Sequence, residues 1–355
     1  MEMDWLDRMR RDWDDRAAAG AERAIYTRDS EDDEQDFERS GLVNYNQLVR
    51  PYLPVLLDGL DPSRCCAVEI GCGAGRMTRW LAQAFGKVHG FDVSPRMIEL
   101  ARARLDGLPN VVLHASSGVS LEPLEDASAD LVFSYIVFQH IPDQSIIEAY
   151  VREAARVLRP GGVFKFQVNG ARPVAGTPHV PGTWCGVYLS RPDVETMMAA
   201  AGLSSLMMEG EGGQYFIITA ANGPAKASPH PRSYVFPGEP WAENQLLSGF
   251  GKAVDQSWRP VADVSCALLR APPGAPLRFF CGVYVWPKDT LPKDLVVRSG
   301  QCLIARHALA GPGDHFLDCE APEFPMGAVI QVRFEFSPRC VRPPAMRCFG
   351  LYVPR

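Results

Sequence analysis

The chain has 355 residues, 46% of them hydrophobic, and a formal net charge of −6, so it is longer than one typical domain and can bury a core. The acidic balance argues against a general nucleic-acid binder, and no run approaches the roughly 18 apolar residues of a membrane span. The ten cysteines form no C-x-x-C pair and the N-terminus is charged. We therefore predict reduced thiols in a cytoplasmic protein without a secretory signal.

The first predicted element is an amphipathic helix over about residues 3–19. Leu6, Met9, Trp13 and Ala17 recur at helical spacing, with charged residues between them. Such a helix can pack on the surface of a domain, or it can cover a binding site. The spacing alone leaves both possibilities open.

A glycine-rich turn follows a predicted helix at about residues 44–60. An apolar run breaks into Gly71, Gly73 and Gly75, and a helical pattern comes next, which predicts strand, tight turn and helix. A second predicted strand ends in Asp92, 21 positions after Gly71. That is the distance at which an acid of a βαβ unit accepts hydrogen bonds from ribose hydroxyls.

The spacing Gly-x-Gly-x-Gly differs from the Gly-x-Gly-x-x-Gly of nicotinamide-binding folds, and Glu69 precedes the first glycine by two residues. With the later acid, this pattern resembles the class I S-adenosylmethionine-dependent methyltransferases. The resemblance implies an α/β fold with a seven-stranded, doubly wound Rossmann-like sheet, and S-adenosyl-L-methionine as cofactor. The cofactor contacts that it implies here come from Glu69, Gly71, Cys72, Gly73, Gly75, Arg76 and Asp92.

The N-terminal segment resembles the extension of one bacterial branch of this family, through residues 13–17, 24–26 and 37–41. In that branch the extension covers the cofactor and helps to form the acceptor pocket. The resemblance therefore implies a lid, with Trp13 and Tyr26 at the acceptor. Packing on the domain surface stays the alternative.

In this family the residues after the ribose-binding acid also flank the adenine, which implies Val93 and Met97. A core position would suit Met97 equally well. Relatives usually place Asp or Asn near the end of the third strand to bind the adenine amino group. This chain departs from that pattern, because Ser116, Ser117 and Gly118 stand there. A serine hydroxyl can donate or accept a hydrogen bond, so we retain the position as a cofactor contact.

The fourth predicted strand, at about residues 130–135, continues into a loop that closely resembles the family's post-strand motif. That loop passes the methionine end of the cofactor and reaches the acceptor, which implies Tyr135 and Ile136 at the cofactor and His140 at the acceptor. Imidazole titrates near neutrality, so His140 has the chemistry of a general base. A structural role, in which the ring holds the loop by a hydrogen bond, is the alternative.

Residues 169–190 follow the fifth predicted strand and form the variable acceptor region. Irregular segments at the carboxyl ends of parallel strands are where such folds build ligand sites, so His179, Trp184 and Tyr188 are candidate acceptor residues. A helix at about residues 191–201 and two further strands complete the predicted sheet.

After the sheet, prolines become frequent and strands replace helices. The alternation of Ile330, Val332, Phe334 and Phe336 with polar residues predicts a strand buried on one face. About seven to nine short strands over residues 228–355 predict an antiparallel β-sandwich or jelly roll. Acceptor recruitment, stability and homodimerisation are the roles left open for this β-domain.

The sequence thus predicts a lid at residues 1–45, a methyltransferase domain at 46–222 and an all-β domain at 228–355. We expect metal-independent O-methylation of a small hydroxylated acceptor or a saccharide. The alternatives are N-methylation of a small molecule and a non-catalytic scaffold that binds the cofactor and acts through its β-domain. We expect neither a metal ion nor a nucleic acid as partner.

Overall fold

The computed structural model describes residues 5–25, 33–172, 181–223, 232–238, 240–254, 258–286, 294–337 and 344–355. Contacts divide the chain into a first unit, residues 1–45 with 62–225, and a second unit, residues 46–61 with 226–355. We predicted residues 46–61 as the start of the methyltransferase domain, and their contacts place them with the C-terminal unit. In the described part of the chain, no helix is long and apolar enough to cross a membrane.

The first unit contains a seven-stranded sheet in the order β3-β2-β1-β4-β5-β7-β6. Neighbouring strands are parallel except at β7, which runs antiparallel to both β5 and β6. The strand order reverses between β1 and β4, which is the point where doubly wound sheets open a crevice for ligands. The strands are β1 (Cys66–Ile70), β2 (Lys87–Asp92), β3 (Val111–Ala115), β4 (Ala129–Ser134), β5 (Leu158–Val168), β6 (Leu203–Glu209) and β7 (Phe216–Asn222).

Helices pack on this sheet through the apolar faces that their sequence spacing predicts. In the helix Gln144–Val157, the side chains of Ile147, Tyr150, Val151 and Ala154 form one buried face and pack in the core with the central strands. The seven-stranded Rossmann-like sheet expected from the sequence is therefore confirmed. The helices are α1 (Trp5–Ile25), α2 (Asp33–Leu48), α3 (Leu53–Leu56), α4 (Thr78–Ala84), α5 (Pro95–Arg104), α6 (Gln144–Val157) and α7 (Arg191–Ala200), of which α3 belongs to the second unit.

The prediction of one helix over residues 44–60 is wrong. Helix α2 ends at Leu48, a 3-10 turn follows over Arg50–Tyr52, and α3 is a single turn. Pro51 and Pro54 account for the break, because proline has no N–H to donate to the preceding turn and its ring collides with that turn.

Helix α1 is longer than the predicted 3–19 and bends at Gly20, whose φ of 134° lies outside the range of a helix. Met9, Ala17 and Ala21 are buried along its inner face, as the amphipathic spacing predicts. The bend allows the last turn, which ends at Ile25, to take a different direction from the first turns.

The second unit is entirely antiparallel in its sheet pairings, with the strand order β13-β12-β15-β10-β16-β11-β14. Strand β8 pairs with β16, and β9 pairs with β10. The strands are β8 (Tyr234–Val235), β9 (Leu246–Phe250), β10 (Arg259–Arg270), β11 (Arg278–Val285), β12 (Asp294–Ser299), β13 (Cys302–Ala308), β14 (Gly313–Glu320), β15 (Val329–Ser337) and β16 (Ala345–Tyr352).

Strand β10 joins the two halves of this unit. Its first residues, Arg259 and Pro260, pair with β16, whereas its later residues pair with β15. A strand that passes from one sheet to the next in this way makes a corner of a sandwich or barrel. The alternation predicted for β15 is confirmed, because Val332 and Phe334 are fully buried while Gln331 and Arg333 are exposed. The all-β prediction for this domain is likewise confirmed.

Candidate active site

The glycine turn lies directly after β1 and leaves open space beside its backbone. Gly71 and Gly73 have φ angles of 74° and 52°, in the left-handed region that favours glycine. A Cβ on Gly71 would lie 2.3 Å from Val137, and one on Gly73 would lie 2.8 Å from Ile25. Larger residues at these positions would fill the cavity that the turn lines, so the turn forms a cradle for a ligand that lies against the backbone.

Asp92 closes β2 at the edge of the same cavity. Its Oδ2 accepts a hydrogen bond from the Gly73 N–H at 2.8 Å, and its Oδ1 accepts one from the Ser94 N–H at 2.9 Å. A carboxylate has about four acceptor sites, and a third backbone N–H, that of Val93, also contacts it, so acceptor capacity is left for a ribose hydroxyl. Burial raises the pKa of Asp92 to about 6, although the backbone N–H groups favour the charged form.

Glu69 is a second buried carboxyl group on the cavity wall. Its Oε2 accepts a hydrogen bond from the Thr78 hydroxyl at 2.6 Å. Burial raises the pKa of Glu69 to about 8, against the smaller lowering effects of Thr78 and Arg76. The guanidinium of Arg76 donates to Asn44 Oδ1 at 2.6 Å, which ties the turn to helix α2. This wall therefore holds protonatable carboxyl groups in a position to meet a cationic ligand.

These groups line one cavity in the first unit, whose space of about 850 Å³ includes the part open to solvent. Small-molecule sites are mostly apolar with a few convergent polar groups, and this lining has that character. The lining residues are Met9, Trp13, Ala24, Ile25, Glu69, Gly71, Cys72, Gly73, Arg76, Met77, Asp92, Val93, Met97, Tyr135, Ile136, Val137, His140, Ile141 and Tyr150.

The loop after β4 forms the opposite wall and holds His140 at its end. His140 Nδ1 lies 2.6 Å from the carbonyl oxygen of Trp184, and Nε2 lies 3.0 Å from Nε2 of Gln139. Burial lowers the pKa of His140 to about 4, while the bond to the Trp184 carbonyl opposes this shift. Both ring nitrogens are thus engaged with protein groups, and the imidazole is neutral near pH 7.

Helix α1 covers the cavity. Glu22, near its end, pairs with Arg104 of α5, and two further fastenings involve residues close to Trp13. At the first of them Asp14 accepts hydrogen bonds from the Ser94 hydroxyl and from the Arg96 N–H. Both donors follow closely after Asp92 in the chain. The aromatic part of the cover is Trp13, whose ring centroid lies 5.4 Å from that of His140 in an edge-to-face arrangement. The helix therefore contacts both the ribose end of the candidate site and the end that holds His140.

The second fastening joins α1 to the loop after β5. The Arg16 guanidinium donates to the Thr183 carbonyl and hydroxyl oxygens at 3.3 and 3.1 Å, and Thr183 donates to Asp12 at 2.5 Å. The same guanidinium lies 4.6 Å from the ring of Trp13 and 5.3 Å from the ring of Trp184. A cation between two indole faces adds attraction to these hydrogen bonds.

The comparisons with known proteins agree with this geometry. Residues 68–166 match the family model described as "Methyltransferase domain", a span that includes Glu69, the glycine turn, Asp92 and His140. The chain contains a class I S-adenosylmethionine-dependent methyltransferase domain. The expected motif, strand order and cavity all lie in the first unit. The glycine turn and the remaining acceptor capacity of the Asp92 carboxylate fit S-adenosylmethionine.

Two curated relatives illustrate the similarity. An uncharacterised 37.1 kDa protein in transposon TN4556 of Streptomyces fradiae is 38% identical over 155 residues, which is 42% of this chain and 40% of that protein. The malonyl-[acyl-carrier protein] O-methyltransferase of Hahella chejuensis is 38% identical over 97 residues, 27% of this chain and 33% of that enzyme. The matches thus span well under half of these relatives.

Similar solved structures include a SAM dependent methyltransferase from Aquifex aeolicus, with 21% identity and a TM-score of 0.40, covering 53% of this chain and 97% of that one. The geranyl diphosphate C-methyltransferase of Streptomyces coelicolor A3(2) has 14% identity and a TM-score of 0.45, covering 62% of this chain and 98% of that one.

The structure brings most of the predicted site residues to the one cavity. Gly75 lies behind the turn, where a Cβ would collide with Leu105, and so supports the turn without lining the cavity. Trp184 is half exposed beside His140. The predicted residues on this cavity wall are Trp13, Glu69, Gly71, Cys72, Gly73, Arg76, Asp92, Val93, Met97, Tyr135, Ile136 and His140.

The other predicted residues lie elsewhere. Ser116, Ser117 and Gly118 do not line the cavity; Ser116 contacts it indirectly, because its hydroxyl lies 3.1 Å from that of Tyr150 on the cavity wall. Tyr188 lines a separate cavity of about 600 Å³ beside the start of α7. Tyr26 and His179 lie outside the described residues.

Sequence reasoning missed several apolar residues of the wall. Met9 was assigned only to a helix face, and Ile25 lies in the segment 24–26 that resembles the lid but received no role of its own, although both line the cavity with Trp13. Tyr150 lies on the buried face of α6, where its spacing suggests only core packing. Its hydroxyl, which needs a partner when buried, was the available signal. The missed residues are Met9, Ala24, Ile25, Met77, Val137, Ile141 and Tyr150.

We predict that Trp13→Ala accelerates release of S-adenosylhomocysteine by about tenfold or more, because a large apolar cover is lost from the cavity. Stopped-flow displacement measures this rate. Trp5→Ala is the matched control, since Trp5 lies on the same helix and packs on the core but does not line the cavity. Equal release rates in the two variants would show that α1 is packing and not a lid.

A point variant is preferable to deletion of the helix. Ala17 and Ala21 of α1 are packed in one cluster with Phe37, Ala74 and Met97. Removing the helix would expose this cluster, so a loss of activity would not separate a lid from a folding defect.

Proposed function

We propose that the chain transfers the methyl group of S-adenosylmethionine to an oxygen of a small hydroxylated acceptor or a saccharide. The observation that carries the proposal is the shared cavity, because Gly71, Gly73 and Asp92 line it together with Tyr135, Ile136 and His140. Such an arrangement supports a cofactor bound along the turn with its reactive end toward the loop after β4.

Each side of the cavity has a distinct role in this proposal. Asp92 accepts a hydrogen bond from a ribose hydroxyl, and the backbone at Gly71 and Gly73 lies against the cofactor. Val93 and Met97 flank the adenine. Glu69, together with Arg76, faces the amino-acid part. When bound, S-adenosylmethionine supplies a methyl group made electrophilic by its positively charged sulfur, so the protein mainly has to align the acceptor and exclude water.

The acceptor end is apolar and aromatic. Trp13, Tyr135, Ile136 and Ile141 surround the space near His140, and the second fastening of α1 lies beside it. Closure of this kind excludes water and holds the acceptor in line, which can contribute roughly 7–11 kcal/mol to lowering the barrier. We therefore assign most of the catalysis to alignment.

The engagement of both His140 nitrogens supports the structural alternative over the general base. A base needs a free lone pair within reach of the proton it removes, and here Nε2 faces the Gln139 amide. Of the two acceptor classes we accordingly favour a small molecule whose acidic hydroxyl group is already ionised, because a saccharide hydroxyl would need a base. The curated O-methyltransferase matches favour oxygen over nitrogen.

The test has two stages. Calorimetry with S-adenosylmethionine should show saturable binding, with ATP as the control for adenosine recognition alone. Transfer from methyl-labelled S-adenosylmethionine is then assayed against acidic phenols, sugars, carboxylic acids and amines, and mass spectrometry locates the added methyl group. Absence of cofactor binding would overturn the proposal; binding with transfer only to amines would replace O-methylation by N-methylation. Acceptor recruitment and homodimerisation through the second unit stay predictions.

A further inference from the structure

Ile136 has an unusual backbone conformation on the cavity wall. Its φ of 59° lies in the left-handed region, which β-branched residues rarely adopt because Cβ crowds the backbone. Such strain persists only where the surroundings hold it, and it concentrates at functional sites. The Ile136 N–H donates a hydrogen bond at 3.0 Å to Oε1 of Gln167, which is fully buried in β5. Gln167 is therefore the side chain that holds the strained residue.

Gln167 also contacts two other segments around the cavity. Its Nε2 donates to the carbonyl oxygen of Gln214, in the turn between β6 and β7, at 2.8 Å. The same nitrogen lies 2.8 Å from the carbonyl oxygen of Val168 and 3.1 Å from Oε1 of Gln139, which is itself buried, so its two hydrogens are shared among three acceptors. One amide thus joins two parts of the loop after β4, at Ile136 and at Gln139, to the β6–β7 turn.

The direction of these hydrogen bonds is fixed by backbone groups at both ends. The Ile136 N–H can only donate, so the Gln167 oxygen faces it and the Gln167 nitrogen faces Gln139. Gln139 therefore presents its oxygen to Gln167 and its nitrogen to His140 Nε2, which must accept. His140 then carries its hydrogen on Nδ1, and donates it to the Trp184 carbonyl, which can only accept.

We propose that Gln167 is a positioning residue for methyl transfer: it holds Ile136 in its left-handed conformation and, through Gln139, acts with the Trp184 carbonyl to fix His140 as the tautomer protonated on Nδ1. The catalytic consequence rests on the proposed function, whereas the tautomer is a property of the protein alone. Because His140 is bonded to the carbonyl of Trp184, and Trp184 contacts Arg16 of the lid, the same chain of bonds sets the acceptor end of the cavity.

The first measurement is the nitrogen-15 NMR spectrum of the histidine rings, with the His140 signals identified by their loss in His140→Asn. The native protein should show a protonated Nδ1 and an unprotonated Nε2 at neutral pH. Gln167→Met keeps the length of the side chain and removes its hydrogen bonds, so the His140 signals should shift toward exchange between tautomers. A native spectrum with the hydrogen on Nε2, or one that Gln167→Met leaves unchanged, would overturn the proposal.

Gln245→Met is the matched control. Gln245 is also fully buried and makes side-chain hydrogen bonds to the backbone of Arg232 and Leu268, but in the second unit. It should lose stability as Gln167→Met does while leaving the His140 signals native. If both variants perturbed His140 alike, the effect would be a general loss of structure and the positioning role would fall.

A rescue experiment tests the part of the proposal that concerns strain. Gln167→Met should weaken binding of S-adenosylhomocysteine by about tenfold. Glycine adopts positive φ without cost, so the same substitution should weaken binding much less in an Ile136→Gly background. Equal losses in both backgrounds would contradict the role of Gln167 at Ile136. Absence of methyl transfer to every acceptor would refute the proposed function without touching the tautomer result.

Discussion

Asp92→Ala should lower the affinity for S-adenosylmethionine by about a hundredfold while leaving the protein folded. A hydrogen bond to a charged acceptor contributes about 1.5–3 kcal/mol, and one to a ribose hydroxyl near the upper limit corresponds to this factor. The substitution also removes the acceptor of the Gly73 and Ser94 N–H groups, so the glycine turn loses one of its fixed points. Isothermal calorimetry with S-adenosylmethionine and S-adenosylhomocysteine measures both affinities.

Asp106→Ala is the control for this prediction, because Asp106 is an exposed aspartate just after α5. Asp92→Asn adds a graded variant, since its amide oxygen can still accept from one backbone N–H. We expect native affinity in Asp106→Ala and an intermediate value in Asp92→Asn. Unchanged affinity in Asp92→Ala would remove the main support for a cofactor along this wall.

The second large effect is a dependence of stability on pH that originates at Glu69. Its pKa is raised from 4.5 to about 8 by burial, so the folded protein holds this proton more tightly than the unfolded chain. The stability that this proton contributes is complete below about pH 4.5 and is lost as pH rises through about 8. The contribution of Glu69 to the free energy of unfolding of the ligand-free protein, measured as the difference between the native protein and Glu69→Gln, should therefore fall across this interval by on the order of 4 kcal/mol.

The pH dependence of cofactor binding should have the opposite direction to that of stability. A positive charge near Glu69 favours the ionised carboxylate, so affinity for S-adenosylmethionine should rise between pH 6 and 8 while protons are released. Glu69→Gln should flatten both pH dependences and keep the contact with Thr78. Glu99→Gln, at an exposed position of α5, should retain them. Native pH profiles in Glu69→Gln would show that Glu69 stays ionised in the ligand-free protein.

The sequence predicted the parts of the site that local chemistry determines. Glycines at alternate positions require positive φ at Gly71 and Gly73, and Asp92 ends its strand at a fixed distance from them, so both follow from spacing alone. His140 was found in the same way, but its hydrogen-bond partners were not. Gln139 is adjacent to His140 in the chain, yet the carbonyl of Trp184 reaches His140, and Gln167 reaches Gln139, only through the fold.

Apolar residues of the cavity could not be separated from core residues by their spacing. Met9 and Tyr150 lie on buried helix faces, and a buried face has the same period whether it meets a ligand or another side chain. In the segment after β3, a residue was predicted at the cavity and does not line it. Ser116 was assigned as a cofactor contact from its position in the family, but its hydroxyl contacts that of Tyr150, which itself lines the cavity. Long-range packing determines both outcomes.

The division of the second unit into residues 46–61 and 226–355 has a consequence for synthesis on the ribosome. The Cys348 thiol donates to the carbonyl oxygen of Pro51, 297 positions earlier, and the Arg355 N–H donates to Gly59. Translation proceeds at about 5–20 residues per second, so Pro51 and Gly59 are synthesised on the order of tens of seconds before the residues that bond to them. We expect the methyltransferase sheet to form during translation, whereas the buried side chains of Tyr52 and Leu56 stay exposed until the last strand emerges. Chaperone dependence should therefore be concentrated in this early segment.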